Sequence, residues 1–265
     1  MTSTAQVLVF DSGVGGLSIA NEIRQLTPDI HLSFACDNAA FPYGTKSEQF
    51  LMERVDHALR ALTRRIAPDI VVVACNTAST LILPRIRSHF SNPVVGVVPA
   101  IKPAAQLTES KVIGLLATPA TVARDYTTQL IREFAADCQI VSVGSSELVH
   151  LAEQKLRGQN IDLDHLKTIV APFFEEPELD TIVLACTHFP LLSQELHAVA
   201  SRQVHWVDSG NAIARRVKSL LPGQPLQQQA PSKSLALFAR HDDSLDKLVP
   251  ALARFGFDTI EIGDF

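Results

Sequence analysis

Apolar residues fall into two patterns that alternate along the chain. Short apolar runs, rich in valine, leucine and isoleucine, predict buried strands. They cover residues 6–10, 31–35, 70–74, 94–98, 112–116, 139–143, 182–185, 204–207, 235–239 and 258–262. Between them, apolar residues recur every three or four positions, as in Leu17, Ala20, Ile23 and Leu26, or Leu51, Val55, Leu59 and Leu62. That spacing predicts amphipathic helices, and further examples fall at 79–90, up to about 134, at 146–157, 162–174, 212–221 and 243–255. Thr45 and Glu48 form a predicted capping box for a helix over 46–66. The run Pro99-Ala100-Ile101-Lys102-Pro103 breaks the rhythm, and residues 222–231 read as a polar, proline-containing, disordered loop.

Strands alternating with helices predict parallel sheets. The order strand, turn, helix, strand, cysteine occurs twice. Asp11 and Thr118 stand at matched turns 107 positions apart, and Cys75 and Cys186 end matched strands 111 apart. The expected fold is therefore α/β, with two similar doubly wound parallel-sheet domains related by internal duplication and an active site in the cleft between them. Residues 1–98 plus 209–265 are expected to form the first domain and 99–208 the second, with the tail returning to complete the first.

Composition narrows the chemistry. Of 265 residues, 46% are hydrophobic, enough for a substantial core. The net charge of −5 and the absence of basic clusters beyond Arg64-Arg65 and Arg215-Arg216 argue against nucleic acid as a partner. No apolar run reaches the roughly 18 residues of a membrane span, and residues 1–6 lack a signal-peptide pattern. A cytoplasmic location is expected. Cys36, Cys75, Cys138 and Cys186 include no CxxC pair, so free thiols are expected and no metal site.

Two cysteines stand apart. Ile70-Val71-Val72-Val73-Ala74 runs into Cys75-Asn76-Thr77, and Ile182-Val183-Leu184-Ala185 runs into Cys186-Thr187-His188. Each is a buried strand carrying a thiol to its carboxyl end, where open α/β sheets bind ligands. A lone cysteine in such a place is more often a small buried hydrophobe, and Cys138 and Cys36 are read that way. Two matched thiols can do more: one removes a proton from a carbon while the other supplies a proton to the opposite face. Each needs an activator, because a thiol is mostly protonated at neutral pH. His188 is the candidate beside Cys186 and Asp11 the candidate beside Cys75. Gly13-Val14-Gly15-Gly16 is neither GxGxxG nor a P-loop; its amides, with those at Asn76-Thr77 and Thr187, suit carboxylates. A non-catalytic binder of small anions also fits these features.

Phe10-Asp11-Ser12-Gly13-Val14-Gly15-Gly16-Leu17-Ser18, Pro42-Tyr43-Gly44-Thr45-Lys46, Ala74-Cys75-Asn76-Thr77-Ala78-Ser79, Gly96-Val97-Val98-Pro99-Ala100, Ala117-Thr118 with Thr121-Val122, Cys186-Thr187-His188-Phe189-Pro190-Leu191-Leu192 and Val207-Asp208-Ser209-Gly210 resemble, in order, the motifs of the cofactor-independent aspartate/glutamate racemase family, its glutamate racemases above all. The resemblance implies interconversion of L- and D-glutamate, a building block of bacterial peptidoglycan, without pyridoxal phosphate or metal. It implies that Cys75 takes the α-proton from D-glutamate and Cys186 from L-glutamate, assisted by Asp11 and His188. Asp11, Ser12, Pro42, Tyr43, Gly44, Asn76, Thr77, Thr118, Thr121 and Thr187 match substrate contacts, and Glu153 matches, less firmly, a glutamate near the second thiol. Pro119-Ala120 departs from the Arg-Gly often found there. Some relatives are switched on by a peptidoglycan precursor, which makes such a molecule a candidate activator. A monomer or a homodimer is compatible with the family, and aspartate is the neighbouring substrate.

Overall fold

A computed structural model describes residues 5–221 and 234–265; the loop expected at 222–231 lies outside them. The first lobe opens with β1 (Gln6–Asp11), α1 (Gly16–Leu26), β2 (His31–Cys36), α2 (Glu48–Ile66), β3 (Ile70–Val73), α3 (Asn76–His89) and β4 (Val94–Gly96). The second lobe contains α4 (Ile101–Leu107), β5 (Val112–Ala117), α5 (Pro119–Val122), α6 (Asp125–Phe134), β6 (Gln139–Gly144), α7 (Glu147–Leu156), α8 (Leu163–Glu175), β7 (Thr181–Ala185), α9 (Ser193–Val199) and β8 (His205–Val207). The chain then adds α10 (Gly210–Leu220), β9 (Leu235–Phe238), α11 (Leu245–Arg254) and β10 (Thr259–Ile262).

The described strands form two parallel sheets, ordered β10-β9-β2-β1-β3-β4 and β6-β5-β7-β8. Without β9 and β10 the first order becomes 2-1-3-4, the same as 6-5-7-8 in the second. The duplication expected from the spacing is thus visible in the topology. Each strand contributes to two cores because successive side chains face opposite ways. Val7 and Val9 pack with Ala20, Ile23, Val217 and Leu248 of α1, α10 and α11. Leu8 and Phe10 pack with Leu51, Leu59 and Ile82 of α2 and α3. Leu116, Ile182 and Leu184 repeat this against α7 and α8, and Ile113, Leu115 and Val183 against α4 and α6. The returning tail completes the first sheet through β9 and covers it with α10 and α11.

Local chemistry overturns four expectations. Pro99 to Pro103 does not simply interrupt the chain, because α4 begins at Ile101 and Pro103 lies in its first turn, where a missing N–H costs nothing. The cap of α2 is Ser47, whose Oγ accepts from Phe50 N at 3.3 Å. Thr45 instead closes a 3-10 turn over Tyr43–Thr45, so the predicted capping box does not form. The helix expected at 79–90 begins at Asn76, which makes Cys75 its N-cap. Cys138 is half-buried rather than buried, beside the exposed Asp137, whereas Cys36 is buried as expected. Pro119 fits its place: it opens α5 behind Thr118, whose side chain caps the helix by accepting from Thr121 N.

Gly114 lies in the middle of β5, where an added Cβ would come within 2.9 Å of the Phe173 ring and 3.1 Å of Ile182 Cγ1. Gly114→Ala is expected to destabilise the protein by about 1–3 kcal/mol, which a thermal melt will register as a drop of several degrees. An unchanged melting temperature would show that this core yields more readily than its packing implies.

Candidate active site

Both lobes present their switch points to one another. In each sheet the central strand (β1 or β5) has neighbours reached in opposite directions, so a crevice opens at the carboxyl ends of that strand and the next. In the first lobe these ends carry Asp11-Ser12 and Cys75; in the second, Thr118 and Cys186. Of the thirteen residues predicted above for catalysis or binding, all line one cavity between the lobes except Asp11 and Thr121. Asp11 is wholly buried beneath it. Thr121 stands behind Thr118 and accepts from its Oγ1 at 3.0 Å. Thr77 Oγ1 and Thr118 Oγ1 meet across the cleft at 3.4 Å.

The two thiols keep different company. Cys75 has Ser12 Oγ at 3.8 Å and the amide of Ala78 as a donor. Ser12 in turn donates its N–H to Asp11 Oδ1 at 2.6 Å, while Thr187 Oγ1 of the opposite lobe donates to Asp11 Oδ2 at 2.9 Å. Burial first, and then the charge of Asp11, push the Cys75 thiol well above its ordinary range. Burial likewise raises Asp11, against the opposing pull of His188 and the hydrogen bonds from Thr187 and Ser12. The Cys75 side therefore tends to hold its proton.

Cys186 lies 3.8 Å from His188 Nδ1. His188 Nε2 is 3.0 Å from Glu153 Oε1, which also accepts from Val14 N at 2.7 Å. Burial opposes a charged imidazole, but the hydrogen bonds to Cys186 and Glu153 outweigh it and raise His188 to about 10. Burial also opposes ionisation of Glu153; its bond to His188 and the nearby Arg157 win and hold it below the usual carboxylate range. These shifts favour an imidazolium beside a carboxylate, in which Nε2–H is given to Glu153 Oε1. On this side a cation stands ready beside the sulfur.

The glycine turn has a role that its sequence does not suggest: it packs against the opposite lobe. Within the turn Val14 N goes to Glu153 and Gly15 N lies 3.2 Å from His188 Nε2, while Ser12 N just before it goes to Asp11. The loop at Pro42–Thr45 is anchored from beneath. Tyr43 OH donates to Asp37 Oδ2 at 2.7 Å, and Arg54 holds both oxygens of Asp37. Asn76 Nδ2 is buried without a hydrogen-bond partner, a donor still to be satisfied.

Phe41, Thr45, Ser146 and Val149 also line the cavity, and sequence reading had not assigned them to a site. Glu153 was noticed only through the resemblance. Yet it lies on the buried face of α7 with Val149, Ala152 and Leu156, and a carboxylate on an apolar stripe is a signal in its own right. A larger hollow of ≈ 760 Å³ lies behind the His188 segment, against Ser18, Leu191 and Trp206. It contains neither thiol, so the chemistry assigns the site to the smaller cavity.

The chain is similar to known proteins over most of its length. Residues 17–217 match the model of the Asp/Glu/hydantoin racemase family. A glutamate racemase from Pectobacterium carotovorum is 53% identical over 98% of this chain and 92% of its own length. The crystal structure of Escherichia coli glutamate racemase with L-glutamate and the activator UDP-MurNAc-Ala superposes with a TM-score of 0.93 at 50% identity, covering 99% of each chain. The enzyme from Thermus thermophilus, with β-chloro-D-alanine, gives 0.77 at 27% identity over 99% of this chain and 97% of its own. The chain belongs to the Asp/Glu/hydantoin racemase family.

Proposed function

We propose that this chain interconverts L- and D-glutamate by moving the α-proton between Cys186 and Cys75. The observation that carries the proposal is the presence of both thiols in one cavity, each with its own partner. For L-glutamate, the Cys186 thiolate, stabilised by the His188 imidazolium, removes the α-proton. The Cys75 thiol, held protonated by burial and Asp11, donates to the opposite face. D-glutamate runs the same steps backwards, with Asp11 placed to relieve Cys75 of its proton. Similarity to glutamate racemases over nearly the whole chain supports glutamate as the substrate.

Both carboxylates of glutamate would be held by neutral donors. Ser12, Thr77, Thr118, Thr187 and the unpartnered Asn76 amide face the cavity, and among the described residues no lysine or arginine lines it. Little space remains: ≈ 20 Å³, room for about one water. Substrate must therefore enter through an opening of the lobes. The chain passes between the lobes twice, between β4 and α4 and between β8 and α10. Ser209 Oγ donates to Val98 O at 2.6 Å and ties the two passages together, which makes this joint the natural pivot. We extend to this chain a role in supplying D-glutamate for peptidoglycan, and response to a precursor like the one bound by the Escherichia coli relative.

In deuterium oxide, the wild-type protein should exchange the α-proton of glutamate and invert it, with aspartate a poor substrate. Cys75→Ser and Cys186→Ser should each lower racemisation by about 10²–10⁴-fold while leaving the fold intact. Undiminished turnover in either variant would eliminate the two-thiol mechanism, and preference for aspartate would redirect the substrate assignment.

A second test concerns the close approach of the lobes. A Cβ at Gly15 would overlap His188 Nδ1 and come within 2.7 Å of Thr187 Oγ1. Gly15→Ala should cost roughly 10–100-fold in kcat, measured by polarimetry, with near-native circular dichroism. Wild-type kcat in this variant would mean that His188 is not held where the mechanism needs it.

A further inference from the structure

Glu153 has a partner that the proton transfer itself does not use. Arg157, one turn further along at the end of α7, donates from Nη1 to Glu153 Oε2 at 2.5 Å and to the Glu153 main-chain oxygen at 2.9 Å. Its Nε donates to Ser244 Oγ at 3.1 Å. Ser244 belongs to the other lobe, just before α11. Its amide and hydroxyl both donate to Asp242 Oδ1, and Asp242 Oδ2 accepts from Asn38 Nδ2 at 3.4 Å. Asn38 follows Asp37, the anchor of the Tyr43 loop. A continuous chain of polar contacts therefore leads from Cys186 through His188, Glu153 and Arg157 to the first lobe.

We infer that Arg157 is a positioning residue for the Cys186 half of the reaction, and that its bridge to Ser244 makes the alignment of His188 depend on closure of the lobes. A glutamate side chain has several torsions to fix. His188 and Val14 N restrain only Oε1; Arg157 restrains Oε2. Two anchored oxygens set the carboxylate plane, and with it the direction in which the imidazolium faces the sulfur. The side chains of Arg157 and Glu153 are only 18% and 12% exposed, so solvent cannot substitute for the lost partner. Without Arg157, Oε2 becomes a buried charged oxygen with an unmet acceptor, and Glu153 must turn away or take a proton. Either response withdraws the counter-charge of His188.

The other charged or titratable groups facing this cluster are Asp11 at the end of β1, Cys36 at the end of β2, and Cys75. All of them are anionic when ionised, so none replaces the guanidinium. Opening the lobes separates Ser244 from Arg157 and loosens the clamp. The imidazolium is thereby best aimed at the sulfur when the cleft is shut around substrate. Arg157 matters in this way only if Cys186 is the base proposed above.

The test reads the thiols directly. Wild type, Arg157→Met, Arg157→Lys and Ser244→Ala are treated with iodoacetamide at pH 7, and alkylation of Cys186 and Cys75 is followed by peptide mass spectrometry. Because only the thiolate reacts, Arg157→Met should slow Cys186 about tenfold relative to Cys75 in the same molecule. Arg157→Lys should restore part of the rate, and Ser244→Ala should slow it in the same direction by a smaller factor. With glutamate, kcat should fall about tenfold at a KM within about twofold of wild type. An unchanged Cys186-to-Cys75 ratio in a folded Arg157→Met variant would overturn the inference, as would equal slowing of both thiols. If Arg157→Met does not fold, Ser244→Ala decides by the same ratio. Alkylation needs no substrate, so a wild type that fails to racemise glutamate would refute the proposed function while leaving the thiol comparison readable.

Discussion

The buried pairing of His188 with Glu153 is the contact on which the closed site depends. Both groups belong to the second lobe, yet the pair is finished by the first: Val14 N donates to Glu153, and Gly15 lies against the imidazole. Taking two charges out of water is expensive, and a buried ion pair repays that cost only with good geometry and further hydrogen bonds. Here Arg157 supplies one from the same lobe and Val14 N another from across the cleft, so the pair is best satisfied when the lobes meet. The same constraint accounts for the glycines. An added Cβ at Gly13 would come within 2.8 Å of His188 Nε2 and 2.9 Å of Phe41 Cδ2. Neither Gly13 nor Gly15 has a positive φ. These residues are small because another lobe must sit on them, not because the turn demands an unusual backbone.

Duplication delivers two thiols to equivalent points, and the flanking residues then make them unequal. Cys75 stands at the N-cap of α3 and receives an amide from its first turn, but it is buried next to a carboxylate. Cys186 leads into a 3-10 turn, with an imidazolium at its side. One sulfur favours the thiol and the other is equipped to support a thiolate. On the proposed function this is the state ready for L-glutamate. Free L- and D-glutamate are equally stable, so the bias cannot favour a product; it must be repaid when the two sulfurs exchange roles. Asp11, buried and raised above the usual carboxylate range, is placed to carry the proton involved in that reset.

How much of this was legible beforehand differs by the range of the interaction. Parallel strands buried on both faces read as apolar runs, and so both cysteine strands, the repeated order and the returning tail stood out in the sequence. Helix α4 did not, because Pro103 looks like a break unless it is known to occupy a first turn. Ser47 and Thr45 compete as caps two positions apart, and only the 3-10 turn at Tyr43–Thr45 removes Thr45 from contention. Nothing local in the glycine turn reveals that Glu153, far along the chain, takes the Val14 amide. Arg157 and Ser244 lie 87 positions apart, and neither carries a motif. Their meeting is a product of how the lobes pack.

The closed cavity also bears on how a racemase of this design would handle its substrate. Contacts that hold the lobes together, such as Thr77 with Thr118 and Thr187 with Asp11, use the same hydroxyls that face the cavity. Entering carboxylates must take over some of these donors, so binding exchanges lobe-to-lobe hydrogen bonds for bonds through the ligand. Neutral donors suit that exchange. An arginine clamp would grip a carboxylate roughly twice as strongly as a hydroxyl does and would impose one planar geometry, whereas a pocket serving both enantiomers must let the carboxylates shift as the α-carbon inverts. Hydroxyls can rotate to follow that shift and release the product as the lobes part. On the proposed function the cation is placed instead beside a sulfur, where charge develops during proton transfer and where a fixed direction is an advantage.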